Sequence, residues 1–419
     1  MKRIVFAYSL IALLSPISLW AGGFKIALQG INQSGMGHTG VGFATDAATL
    51  YFNPAGLSFV GNQINGGVNL LFPSTSFYET HTNTITHAES QVFTPFSLYG
   101  NYALTDKINV GLGAYTPFGS GIMYPTDWSG RYILHRIDLQ TIFLQPTVAY
   151  RLNKSVSIGA GFIYSFGHVN LEKDLPITSG ANQDIAKASL NGKANGIGFN
   201  AGVYVKANER FNIGVTYHSK VVMKVKQGEA TFSNIPSGLS SSFPASNSFK
   251  TELPLPSEID AGISYQINKR LTAAIDFNYT FWKSFDSLGF DYEINTAAIT
   301  DDKSPRLYQN AVAVRFGLQM KATEKATLRA GMFYDQTPVQ EGYVAPELPD
   351  NNKLGFTLGA SYAFTPKLKL DLALLYENVP SRTQTNLETN LQGTFQTKVI
   401  APALGLTYSF QPKKNESQN

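Results

Sequence analysis

Six histidines, His38, His81, His87, His135, His168 and His218, are the residues best suited to acid–base or metal chemistry in this 419-residue chain, which has no cysteine. Ser-His hydrolysis needs a serine, a histidine and an orienting polar group placed together by the fold. No serine near these histidines sits in a nucleophile-like setting, and Gly119-Ser-Gly121 reads as a loop tripeptide. His81 and His87 stand six apart in a Thr/Asn-rich stretch, a poor spacing for a metal centre. No catalytic site, metal site or cofactor is therefore expected. More is carried by Asp46-Ala-Ala-Thr-Leu-Tyr-Phe-Asn-Pro-Ala-Gly56. Pro54 disfavours helix at Asn53, and Gly56 can turn the chain with positive φ. Read locally, this is a capped short helix followed by a turn; inside a wide barrel it would be a plug.

What surrounds that stretch decides between the two. Met1-Lys2-Arg3, the apolar run Ile4 to Leu14 and the small-residue stretch Ser15 to Ala21 form a secretory signal peptide over residues 1–21. The apolar core is too short for a membrane span, which needs roughly 20 apolar residues. Export without cysteine speaks against a small disulfide-stapled domain. A net charge of +4 with no basic patch points to no nucleic-acid partner. With 28 Phe, 21 Tyr, 37 Gly and 15% charged residues, the composition suits a transmembrane β-barrel: apolar outside, small or polar inside, aromatics at both interfaces.

Alternation supports that class. Val156, Ile158, Ala160, Phe162, Tyr164 and Phe166 share one face, opposite Ser155, Ser157, Gly159, Gly161 and Ser165. The same period of two runs through Leu271 to Trp282 and Lys367 to Glu377. Short connections at 104–107, 152–155, 206–210, 267–270, 321–325 and 364–367 alternate with long polar ones, as periplasmic turns alternate with outer loops. The expected fold is an all-β outer-membrane antiparallel barrel of about 14 strands, starting near Asn62, Val92, Lys107, Ile137, Lys154, Lys193, Glu209, Phe249, Arg270, Arg306, Glu324, Lys353, Lys367 and Gln396. It would span residues 61–410, preceded by a hatch over 22–60 and followed by a polar tail over 411–419. A barrel this wide is not filled by its own side chains, and the hatch is the material left to close it.

In order and spacing, several words resemble the FadL-type outer-membrane transporters of long-chain fatty acids and other hydrophobic compounds. They are Asp46-Ala-Ala-Thr and Asn53-Pro-Ala-Gly56, Trp128-Ser-Gly-Arg-Tyr132, Pro146-Thr-Val-Ala-Tyr-Arg151, Tyr217-His-Ser-Lys220, Leu255-Pro-Ser-Glu-Ile, Trp282-Lys-Ser-Phe285, Asp335-Gln-Thr-Pro-Val339 and Leu348-Pro-Asp-Asn-Asn-Lys353. His218 and Lys353 depart from the family's usual residues. The resemblance implies a monomer among outer-membrane lipids that takes up a long-chain fatty acid or other hydrophobic small molecule. Ligand would be caught among the outer loops, passed to a lumenal pocket and released sideways through a gap at a kinked strand, with Asp46, Asn53, Pro54, Ala55 and Gly56 in the gate.

Gly111, Gly113 and Pro117 mark the strand where that gap is expected, since glycine often marks a bulge or bend; the alternative is that the glycines only relieve crowding inside the barrel. Leu175, Ile177, Ile185 and Leu190 in one outer loop, with Phe232, Ile235, Leu239 and Phe243 in the next, would form the capture groove or simply pack the loops together. For a carboxylate head the candidates are Arg131, flanked by Trp128 and Tyr132, then Lys220 and Arg315; Arg315 is alternatively a lumenal ion-pair partner of Asp276 or Asp371. Asn53→Ala or Pro54→Ala is expected to leave the barrel folded and impair uptake. A general diffusion porin is the alternative, with an outer-membrane lipase behind it.

Overall fold

A computed structural model of the chain describes residues 23–179 and 184–410. The expected signal peptide and polar tail lie outside them. Fourteen antiparallel strands close into a ring: β1 Gln63–Asn69, β2 Phe96–Ala103, β3 Ile108–Tyr115, β4 Arg136–Arg151, β5 Val156–Ser179, β6 Asp184–Lys206, β7 Phe211–His218, β8 Glu258–Gln266, β9 Leu271–Thr280, β10 Ala311–Lys321, β11 Ala326–Asp335, β12 Lys353–Ala363, β13 Leu368–Thr385 and β14 Gln392–Ser409. The β1–β14 ladder, Gln63 opposite Ser409 through Asn69 opposite Ala403, closes it without an edge. Alternation sets the faces. On β5, Ile158, Phe162 and Tyr164 point outward and stay exposed, while Ser157 and Ser165 are fully buried toward the lumen. On β9, Ile275 and Phe277 face out and Asp276 and Asn278 face in.

Several expected strand starts need correction at the outer end, among them Val92, where the wall strand begins at Phe96, and Arg306, where it begins at Ala311. β6 begins at Asp184 rather than Lys193, because β5 and β6 run on past the wall as one long hairpin. The strand expected from Phe249 is in two parts, Ser246–Leu255 and β8, parted at Pro256-Ser257. Likewise Val221–Ser233 continues β7 beyond Ser219-Lys220. Pro256 has no N–H for a ladder, and each two-residue break reverses the alternation. Below the breaks the even positions His218, Glu258 and Asp260 are buried; above them the odd positions Val221, Met223, Val225 and Leu255 are. The inner surface therefore changes from polar to apolar at this level. The final strand start also moves, from Gln396 to Gln392, because β14 pairs with the outer strand Phe72–Glu79.

The hatch segment threads inside the ring. Its side of the wall is notched by glycines: a Cβ on Gly359 of β12 would lie 2.9 Å from the Gly35 Cα, and one on Gly262 of β8 would lie 2.7 Å from the Gly42 nitrogen. Short helices at Ile31–Ser34 and Thr49–Phe52 and a 3₁₀ turn at Pro54–Phe59 are almost wholly buried.

Candidate functional site

Within the hatch, Asp46 is fully buried and gathers three donors: Asn32 Nδ2 at 2.5 Å, Gln33 Nε2 at 3.1 Å and the Ala48 N–H at 3.1 Å. Asn53 joins hatch to wall. Its Oδ1 accepts from the Ala55 N–H at 3.1 Å, capping the 3₁₀ turn, and its Nδ2 donates to the carbonyls of Val41 at 3.3 Å and Val203 of β6 at 3.0 Å. Pro54 opens that turn, where its missing N–H costs nothing. Ser157 Oγ donates to the Ala55 carbonyl at 2.7 Å. Gly56 differs from expectation: it is not among the positive-φ glycines. What its position requires is space, since a Cβ there would collide with Thr49 and lie 3.1 Å from the Ala44 Cβ.

The pairing with β4 slips by one residue at Thr116–Phe118, between β3 and the strand Gly119–Met123, although the Thr141 N–H still donates to the Phe118 carbonyl at 3.2 Å. Pro117 lies at the slip. Gly111 and Gly113 do not: both are paired with β2 and β4. They make room for the hatch, since a Cβ on either would lie 2.8 Å from a methyl of Leu57 or Leu50. At this break the hatch adds backbone bonds of its own. The Ile26 N–H donates to the Pro117 carbonyl at 2.8 Å and the Gly119 N–H to the Phe24 carbonyl at 3.0 Å.

Two cavities meet at this point. An apolar groove of about 110 Å³ lies under the outer hairpins, lined by Met223, Val225, Phe249, Leu253, Phe285 and neighbours. A larger lumenal cavity of about 410 Å³ is lined by Leu28, Phe93, Phe118, Leu375 and Val399, with Lys25, His38, Lys353 and Glu377. Phe24 belongs to both linings. Its ring is held edge-on by Trp282 at 4.9 Å and Phe285 at 5.5 Å, and the preceding Gly23 N–H donates to Asp350 Oδ2 at 2.9 Å.

Of the ligand-contact candidates chosen from the sequence, Leu190 lines the groove and the others line neither cavity. Trp128 is buried in loop packing, its Nε1 donating to the Leu134 carbonyl at 2.8 Å and its ring stacked on Tyr124 at 4.1 Å. Arg131 faces Asp174 at 3.7 Å and covers the exposed Tyr132 ring at 4.8 Å. Lys220 is exposed. Arg315 is buried in the lumen opposite Asp276 in the ladder, but the Asp276 carboxylate accepts from the Gly40 and Val41 N–H groups at 2.7 and 2.9 Å. Asp371 accepts from Ser361 at 2.5 Å and Thr407 at 2.7 Å and pairs with Lys369 at 3.2 Å. Leu175, Ile177, Ile185, Phe232, Ile235, Leu239 and Phe243 sit toward the hairpin tips, partly or wholly exposed, with Phe232 and Phe243 in ring contact at 5.7 Å. Phe24, His38, Met223 and Phe249 were the residues missed. The signal available for Phe24 was an aromatic three residues after the expected cleavage site.

A closed β-wall with exposed apolar outer residues, a threaded interior and an apolar groove opening inward defines an outer-membrane transport barrel for hydrophobic solutes. The chain belongs to the family of outer membrane protein transport proteins (OMPP1/FadL/TodX), whose match spans residues 12–411. It is a transport protein of the outer membrane and not an enzyme. It is 27% identical to outer membrane protein P1 of Haemophilus influenzae over 97% of this chain and 99% of that one. With the long-chain fatty acid transport protein of Salmonella typhi it shares 23% identity over 85% of this chain and 87% of the other. The crystal structure of a Pseudomonas aeruginosa FadL homologue has the same fold, with a TM-score of 0.82, 21% identity and coverage of 93% of this chain and all of the other.

Proposed function

We propose that the chain takes up hydrophobic molecules, long-chain fatty acids among them, by capture in the apolar groove, passage past Phe24 into the lumenal cavity and lateral release at the Thr116–Phe118 break. The hatch is the gate. The carrying observation is that Phe24 lines both cavities, with wall and loop residues such as Leu139 and Leu348, while its segment hydrogen-bonds to Pro117 and Gly119. Withdrawing that segment would join groove to cavity and uncover the break in one movement. The physics suits a greasy ligand: burial in the groove stabilises it by roughly 25 cal/mol per Å² of apolar surface, while a water-filled pore would not attract it.

Because the chain has no cysteine, a disulfide can test this. Lys25 and Phe118 are antiparallel bridge partners, so Lys25→Cys with Phe118→Cys places two sulfurs within bonding reach. Oxidation should abolish most palmitate uptake by whole cells relative to the same variant reduced. Equal uptake in the two states would refute the gate. A large steady ion conductance of the unaltered protein in planar bilayers would favour a diffusion porin instead.

A further inference from the structure

Toward the outer end, the lipid-facing side of the wall turns from apolar to basic within two steps of the ladder. On β5 and β6 the exposed pairs Phe162–Phe199 and Tyr164–Ile197 lie opposite each other. Tyr217 of β7, also exposed, holds its ring 5.9 Å from that of Phe199. One step further out the pair is Phe166–Asn195, and one step beyond that the outward residue of β6 is Lys193. The next two strands extend this level. Val221–Ser233 pairs with β6 on one side and with Ser246–Leu255 on the other, and both ladders slip at the same point. Val225 faces Thr251 and Gly228 faces Phe249, so Lys226 and Gln227 together oppose Lys250 alone. Val225 also faces Ala194 and Glu229 faces Asn191, so Lys226-Gln227-Gly228 oppose Gly192-Lys193. This bulge turns two successive side chains the same way: Lys226 and Gln227 are both exposed, between the buried Val225 and Gly228.

Three exposed lysines, Lys193, Lys226 and Lys250, therefore stand in one row on neighbouring strands. Such strands lie about 4.8 Å apart, and like charges directly opposite destabilise a sheet. The carboxylates nearby do not relieve the row. Glu252 is engaged by Lys224 at 2.7 Å, and the exposed Glu229, further out, accepts from Ser246 Oγ at 3.3 Å. Asp291 is the ladder partner of Lys250 on its far side. Among the described residues no ion pair reaches Lys193, Lys226 or Lys250. A row of unshared cations just beyond an apolar, lipid-facing band fits an anionic head group whose acyl chains lie on that band. We propose that Lys193, Lys226 and Lys250 bind the phosphates of an outer-leaflet glycolipid of the lipopolysaccharide type. Its acyl chains would lie along Phe162, Tyr164, Ile197 and Phe199. None of the three lysines lines the groove or the lumenal cavity, so this site is separate from the uptake path and does not rest on it.

The test is native mass spectrometry of the full-length protein, released from detergent micelles after titration with bisphosphorylated lipid A or with the same lipid dephosphorylated. Folding is checked by heat-dependent gel mobility. A lysine at an anionic lipid surface is worth about fivefold in affinity. Lys226→Gln should therefore weaken binding of the bisphosphorylated lipid about fivefold, and Lys193→Gln, Lys226→Gln and Lys250→Gln together about a hundredfold. The dephosphorylated lipid should bind the unaltered protein and this triple variant alike, and weakly. Lys269→Gln, Lys321→Gln and Lys325→Gln, three exposed lysines at the opposite end of the barrel, remove the same charge and should leave affinity unchanged. The single variant keeps the comparison should the triple one fail to fold. Equal affinity of the unaltered protein for the two lipids, or equal weakening in the two triple variants, overturns the site. Displacement of the lipid by inorganic phosphate at equal concentration overturns a glycolipid as its occupant.

Discussion

Replacing Asn53 by alanine is the most direct test of how the hatch is seated. The substitution removes one cap to the Ala55 N–H and two donations, to Val41 within the hatch and to Val203 of the wall. Loss of an N-cap costs about 1 kcal/mol, and each amide donation contributes about 0.5–1.5 kcal/mol net. The sum is about 2–4 kcal/mol, charged almost entirely to the hatch, because the Val203 carbonyl belongs to a strand laddered on both sides. Local opening should therefore become roughly thirty- to seven-hundredfold more frequent. Hydrogen exchange followed by mass spectrometry reads this directly: peptides covering residues 41–56 should exchange faster by that factor. Peptides from β9 to β12 should not change, and the folded barrel should keep its gel mobility. Palmitate uptake should fall, since a hatch that no longer seats cannot present a closed gate to be opened. Unchanged protection in residues 41–56 would refute the reasoning, whatever happens to uptake.

Pro54→Ala should give the same pattern more weakly, by about 0.4–1 kcal/mol, because it mainly frees the unfolded chain. Gly359→Val should loosen the hatch around Gly35, whose Cα lies 2.9 Å from where the new Cβ would be; faster exchange over residues 31–38 with unchanged barrel mobility is the expected result. Leu253→Glu puts a charge into the apolar groove and should weaken binding of a fluorescent naphthylamine probe by roughly tenfold or more. Arg131→Gln should change palmitate affinity less than about twofold, since a partly exposed ion pair contributes little and the side chain lines neither cavity.

The wall was legible because membrane strands obey a strict period of two and their turns sort by length. Every short connection named from the sequence falls between paired wall strands. What stayed hidden depends on the third dimension. The breaks at Ser219-Lys220 and Pro256-Ser257 each shift the alternation by one position, so the inward apolar set Val221, Met223, Val225 and Leu255 looks outward-facing if the period is carried straight through. Gly111 and Gly113 carry the composition of a bend, yet they serve the passage of Leu50 and Leu57. Sequence cannot separate those uses, because both call for a missing side chain. Basic residues were chosen for charge type, but pairing decides what a charge can do, and pairing of Arg131 with Asp174 joins residues 43 apart.

The hatch is held in two different ways, and the difference bears on how a gate could move. Its body is fixed by polar bonds from the wall to its backbone: Gln145 and Asn200 donate to the Leu50 carbonyl at 2.9 and 3.1 Å, Ser264 to that of Gly42 at 2.7 Å, and Asp276 accepts from Gly40 and Val41. These bonds are directional and buried, so a sliding hatch would break many together without replacing them. The segment at Phe24 adds aromatic contacts of its ring with Trp282, Phe285 and Phe118 to backbone bonds with Asp350, Pro117 and Gly119. An apolar ligand can substitute for those contacts, because dispersion and burial are not directional. On the proposed pathway a hydrophobic solute arriving from the groove would replace the ring contacts of Phe24, whereas freeing its backbone would also break the bonds to Asp350, Pro117 and Gly119. Within the proposed gate, the moving part would then be the first few residues of the hatch, with Asn53 and its neighbours as their anchor.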